Sequence, residues 1–168
     1  MASDGASRVA FPLGGLSLLL VLASCATSHL AQDSRQLLPI RTPGQAPTFE
    51  APRRLGSVQI LLDRRFTGFR DASMQLLRAE PGMKLPRHRH ARSHELLYIL
   101  SGRGTMFVID PTTGARKTYL VRKGMAIWIP RGVEHGMSML GQREPLRALQ
   151  LYTPAGPEQR FRRWKKVP

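Results

Sequence analysis

Four of the five histidines lie between positions 88 and 135, and three fall in one run, His88-Arg89-His90-Ala91-Arg92-Ser93-His94, followed at once by Glu95. Residues two apart on a strand share a face, so His88 and His90 can address one ion. Imidazole together with a carboxylate suits Mn, Fe, Co, Ni, Cu or Zn better than Mg or Ca. One histidine alone in a β-protein would be a hydrogen-bonded core residue or a solvated one; three beside a carboxylate point to a metal site. His94 adjoins Glu95, so on a strand it faces the other way and stays outside the ligand shell. His135, Met137 and Met139 share a face further along, which offers either two soft sulfur ligands suited to copper or a flexible apolar lining. Six of the seven methionines (Met74, Met83, Met106, Met125, Met137, Met139) lie in this same region, and the harder ligands already satisfy an ion. We therefore read Met137 and Met139 as pocket lining.

Such residues need a scaffold that brings distant positions together. Beyond Leu55 the chain consists of short runs rich in Val, Ile, Leu, Tyr and Met. They are separated by turn signals such as Pro81-Gly82, Asp110-Pro111-Thr112-Thr113-Gly114, Lys123-Gly124 and Pro130-Arg131-Gly132. Regular short strands of this kind predict an all-β sandwich or barrel. Along one strand Glu95, Leu97 and Ile99 should point inward and Leu96, Tyr98 and Leu100 outward. Apolar residues on both faces imply that the outer face is covered too, by a twin subunit in a homodimer. The one helix expected is a short one near Glu158 to Lys166.

These residues closely resemble the cupin superfamily. Its first motif, G-x5-H-x-H-x4-E-x6-G, is met by Gly82, His88, His90, Glu95 and Gly102; its second, G-x5-P-x-G-x2-H-x3-N, by Gly124, Pro130, Gly132 and His135, with Met139 where the Asn would stand. The 21 residues between Gly102 and Gly124 fit one hairpin, Thr105 to Asp110 and Ala115 to Arg122. The resemblance covers about Ser73 to Thr153 and implies a single cupin β-barrel, a double-stranded jelly roll. It further implies that His88, His90, Glu95 and His135 hold one divalent transition metal whose identity stays open. The motif glycines Gly82, Gly102, Gly124 and Gly132 have their own physical reason, since tight strand connections need the positive φ that glycine adopts cheaply.

The flanks carry different signals. Val9 to Ala23 is apolar or small throughout and follows Arg8, the pattern of a secretory signal, and it is short for a membrane span, which needs about 20 apolar residues. Leu22-Ala23-Ser24-Cys25 resembles a bacterial lipobox, and Cys25 is the only cysteine. We expect residues 1–24 to be a lipoprotein signal peptide and Cys25 to be lipidated. With Ala26 next, the anchor is expected at the periplasmic face of the outer membrane, with the inner membrane as the alternative. Residues 25–54, with four prolines among Ser, Thr, Gln and Gly, read as a tether; residues 55–157 as the barrel, with its motifs at 82–102 and 124–139; and residues 158–168 as a basic tail.

A chain of 168 residues with one cysteine excludes a multidomain enzyme, an internal disulfide framework and a cysteine-built zinc site. The formal charge of +15 would suit nucleic acid, but export argues against that partner. Anionic lipid or lipopolysaccharide is the simpler counter-charge, with Arg160, Arg162, Arg163, Lys165 and Lys166 as the contact. Arg87, Arg89 and Arg92 surround the metal motif and could instead favour an anionic substrate. The leading expectation is an enzyme of dioxygenase-like type acting on a small organic substrate, with isomerase and decarboxylase chemistry also open. The alternative is a non-catalytic binder of a metal or a small ligand in the cell envelope. No residue outside the metal set identifies itself as a catalytic base.

Overall fold

The computed structural model describes residues 38–141 and 143–168. The expected signal peptide, Cys25 and the first part of the tether lie outside the described residues. Eleven strands run in chain order: β1 (Thr48–Glu50), β2 (Gly56–Leu62), β3 (Ser73–Ala79), β4 (Lys84–His88), β5 (His94–Ser101), β6 (Arg103–Ile109), β7 (Arg116–Arg122), β8 (Ala126–Ile129), β9 (His135–Leu140), β10 (Leu146–Thr153) and β11 (Lys165–Val167). One turn of α-helix, α1 (Arg64–Thr67), and three 3-10 segments, Pro43–Gln45, Pro52–Arg54 and Pro157–Arg163, connect them. A seven-stranded sheet in the order β11-β1-β2-β3-β10-β5-β8 faces a four-stranded sheet in the order β4-β9-β6-β7. All pairings are antiparallel. This is the all-β barrel that the strand spacing predicts. Among the described residues no helix is long and apolar enough to cross a membrane.

Alternation along β5 builds the interior. Glu95, Leu97 and Ile99 are buried and Leu96, Tyr98 and Leu100 exposed, as the period of two requires. Leu97 and Ile99 join Met83, Met106, Met137, Met139, Leu146 and Ala148 in one core between the sheets. The hairpin of β6 and β7 closes through a turn in which Asp110 Oδ1 accepts from the backbone N–H of Thr112 and Thr113 at 3.0 and 3.2 Å, an aspartate replacing backbone acceptors in a tight reversal. The four motif glycines Gly82, Gly102, Gly124 and Gly132 have φ of 81°, 76°, 85° and 81°. At Gly102 a side chain is also excluded by space, because a Cβ there would lie 2.6 Å from the Pro145 carbonyl oxygen.

Both flanks differ from the sequence expectation. The segment read as a tether reaching residue 54 already contributes β1, which pairs with β2 on one side and β11 on the other. Phe49, buried among Val58, Ile60, Tyr152 and Phe161, holds it there. A three-residue strand with one inward side chain leaves no periodicity to detect. At the other end the basic tail is part of the domain. Its helix is 3-10 and stops at Arg163, after which β11 joins the large sheet. Glu158 and Phe161 are buried, and a buried phenylalanine anchors a short segment better than helix propensity could.

Candidate metal centre

His88 is the last residue of β4 and sits opposite His135, the first residue of β9, in the β4–β9 pairing. Glu95 enters from β5 in the other sheet, beside Tyr152 of β10. His90 lies beyond the end of β4 rather than on it, so the shared strand face expected for His88 and His90 is not what aligns them. Instead the His90 carbonyl accepts the N–H of Gly132 at 2.8 Å, tying the His90 loop to the turn that delivers His135. Gly132 with its positive φ makes that turn. His88, His90, Glu95 and His135 thereby converge, each offering one ligand atom, and these atoms all lie within 4.8 Å of one another. Three of the four are buried, Glu95 at 4% and His135 at 3% exposure.

The outer hydrogen bonds prepare this donor set. His88 Nδ1 donates to the Pro86 carbonyl at 2.7 Å and His135 Nδ1 to the Val133 carbonyl at 3.0 Å. A carbonyl only accepts, so both Nδ1 atoms carry the proton and both Nε2 lone pairs face the centre. Burial, opposed by the Pro86 bond and aided by the neighbouring His135 and Arg160, lowers the His88 pKa to about 4, which keeps this imidazole neutral. Burial alone would raise the Glu95 pKa, but the close approach of the His135 and His90 rings, with the Gln150 hydrogen bond, outweighs it and holds the carboxyl well below the usual carboxylate range. Glu95 Oε2 accepts from His90 Nε2 at 3.0 Å and lies 3.1 Å from His135 Nε2, and Gln150 donates to Oε1. Neutral imidazoles around an ionised carboxylate are the form in which these groups ligate a divalent ion, so the residues fit one.

Three residues that the sequence did not single out for this site complete it. Gln150 Nε2 also reaches the Tyr152 hydroxyl at 2.8 Å. Arg160 Nη2 donates to the same hydroxyl at 3.0 Å, and its Nη1 lies 3.5 Å from His90 Nδ1. Burial raises the Tyr152 pKa far above its ordinary value, with the Glu95 charge adding to it, so the phenol keeps its proton. Their spacing carries no motif; they meet the histidines only once β10 lies beside β5 and the 3-10 segment folds across its end. Arg162, whose Nη2 lies 2.6 Å from Asp63 Oδ2, corrects the reading that the whole C-terminal run faces outward, while Arg160 stays exposed with its guanidinium set against Tyr152 and His90.

A cavity of about 60 Å³ opens beside His88, Glu95 and His135. Met137 and Met139 line it with Met83, Leu97 and Leu146, while Arg160 and Gln150 supply polar wall. His94 faces elsewhere, its Nδ1 accepting from Arg131 N–H at 3.3 Å and its ring beside Trp128. Arg87 pairs with Glu134, which leaves it less free to meet an anion than the sequence alone suggests.

Comparison with known proteins agrees with this fold. A family profile described as "Cupin domain" matches residues 75–152. The fold is that of a cupin barrel. No curated protein matches the sequence closely enough to count as a relative. Among solved structures, the Bacillus subtilis oxalate decarboxylase with its Mn(II) centres superposes with a TM-score of 0.60 at 18% identity, over 71% of this chain and 30% of that one. A Glu-to-Ala variant of the same enzyme gives 0.57 at 26% identity, over 74% and 30%. KdgF from Halomonas sp. gives 0.52 at 15% identity, over 66% of this chain and 89% of that one. The chain spans less than a third of the oxalate decarboxylase chains it resembles.

Proposed function

We propose that this cupin is a mononuclear metalloenzyme acting on a small organic substrate, exported and anchored to the membrane through Cys25. The carrying observation is the convergence of His88, His90, Glu95 and His135 within 4.8 Å at one end of an apolar cavity. A divalent transition metal there supplies Lewis acidity and coordination positions open to water, oxygen or substrate. The protein's own groups do the rest. Gln150 holds Glu95 in orientation, Tyr152 keeps a proton on its hydroxyl beside the centre, and Met83, Met137 and Met139 keep bulk water from the substrate space. The leading reaction class is dioxygenase-like. The 26% identity to an oxalate decarboxylase favours a second reading, decarboxylation of a small acid.

The test is elemental analysis and thermal melting of the wild type and of His88→Ala, His90→Ala, Glu95→Ala and His135→Ala, followed by oxygen-uptake and carbon-dioxide-release assays. We expect about one metal per wild-type chain, lost from all four variants together with the melting increment that binding to the native state alone confers. Oxygen uptake supports the first reaction class and carbon dioxide release without it the second. Metal retained in His135→Ala overturns the four-ligand site. Metal without turnover of any substrate makes the protein a binder in the envelope instead of an enzyme.

A further inference from the structure

The C-terminal 3-10 segment is fastened to the barrel on both sides of Arg160. Two residues before it, Glu158 is fully buried, accepting from Ser73 Oγ at 3.0 Å and from the Gly156 N–H at 2.6 Å. Two residues after it, Arg162 forms its ion pair with Asp63, which is 1% exposed. Between them Phe161 is buried. Segments this short are seldom stable alone, and two buried carboxylate contacts are a large investment of polar groups in seven residues. What they fix in place is the Arg160 guanidinium, which lines the metal cavity.

That guanidinium is committed only in part. It donates to the Tyr152 hydroxyl, approaches His90 Nδ1 at 3.5 Å and lies over the Phe161 ring at 4.7 Å, which leaves its remaining N–H groups without a hydrogen-bond acceptor among the described residues. Among the described residues no carboxylate lies within ion-pair distance of it. Were His90 to ligate through Nε2 as a neutral imidazole, Nδ1 would carry the proton and Nη1 would lose that acceptor. A divalent ion with one ionised Glu95 and the exposed Arg160 would leave excess positive charge beside an apolar cavity, which attracts an anion. Guanidinium is the side chain best shaped to meet a carboxylate with paired donors.

We infer that Arg160 is the anchor for a carboxylate, so that the substrate of this site is a small anionic acid held between the metal and the C-terminal segment. This rests on the metal-site reading above. The clamp of Glu158 and Arg162 acts by positioning Arg160, and the Tyr152 hydroxyl supplies a second donor next to it.

The probe is oxalate, with the uncharged diamide oxamide as its size-matched control, titrated into the Mn(II)-loaded full chain and followed by the Mn(II) magnetic-resonance signal and by melting temperature. Metal content is measured after each titration. In the wild type oxalate should bind and oxamide should not. Arg160→Gln should hold as much Mn(II) yet bind oxalate roughly tenfold or more weakly, as expected for loss of a charge-assisted pair. Arg160→Lys should fall between, and Arg163→Gln, which removes the same charge from an exposed position, should bind as the wild type does. Equal oxalate affinity in Arg160→Gln and wild type, or equal weakening in Arg163→Gln, overturns the anchor while leaving the metal site standing. A wild type that binds no Mn(II) or other divalent metal overturns the metal reading and the anchor with it.

Discussion

His88 shows how far surroundings set the chemistry of a single side chain. Its pKa near 4 in the folded chain against 6.5 ordinarily means that the unfolded chain takes up a proton first as pH falls. Between these two values the unfolded state binds more protons, so His88 makes the metal-free protein more stable as pH rises from about 4 to about 6.5. Glu95 works in the same direction lower down: its stabilising ionised form is present above its ordinary pKa of 4.5 and is lost as pH falls below it. Thermal melting of the metal-free chain should therefore show a melting temperature that drops steadily from about pH 7 to about pH 4.5. His88→Asn should flatten the upper part of that slope. An unchanged slope in the variant would mean that His88 titrates normally in the fold. The depressed pKa also delays proton competition for this ligand, so an ion should stay bound in mildly acid solution.

At the scale of elements, strands were legible in the sequence and the joins between distant elements were not. The alternation of Glu95 to Leu100, the Asp110 to Gly114 turn and the motif glycines each obey a local rule, so they could be placed without coordinates. His88, His90, Glu95 and His135 were legible because two spaced motifs carry them. Gln150, Tyr152 and Arg160 were not, since their role comes from β10 lying against β5 and from a segment whose anchor, Asp63, precedes it by 99 residues. Asp63 also shows what that anchor costs to break. Burial alone would raise its pKa, yet hydrogen bonds from Arg162 and Gln159 and the Arg162 charge hold it below the ordinary value. The same Asp63 accepts the Phe66 N–H at the start of α1. Asp63→Asn should destabilise the fold by roughly 3 kcal/mol, the lower range for leaving one partner of a buried pair alone. Asp63→Asn combined with Arg162→Gln should recover part of the loss. Urea unfolding of the wild type and these two variants measures this, and a double variant no better than Asp63→Asn would show that the ion pair is not the source of the stability.

The whole molecule carries a formal charge of +15, and the fold decides how much of it is free to meet a surface. Of the five basic residues in the C-terminal run, Arg162 turns to Asp63, and Arg160, though exposed, sets its guanidinium against Tyr152 and His90. Arg163, Lys165 and Lys166 are left exposed. Near an anionic membrane each of these is worth about 1 kcal/mol, screened beyond about 8 Å at physiological salt. Three such charges give weak and reversible attraction, which a lipid on Cys25 would convert into stable attachment, since durable anchoring takes two signals. Radiolabelled fatty acid should enter the wild type and not Cys25→Ser. The unlabelled Cys25→Ser chain should sediment with anionic vesicles at low salt and leave them at high salt. Replacing Arg163, Lys165 and Lys166 together by Gln should abolish that sedimentation without changing metal content, because none of the three touches the centre. Equal labelling of wild type and Cys25→Ser would overturn the lipid anchor, and vesicle binding that survives the triple replacement would move the membrane contact to another part of the basic surface.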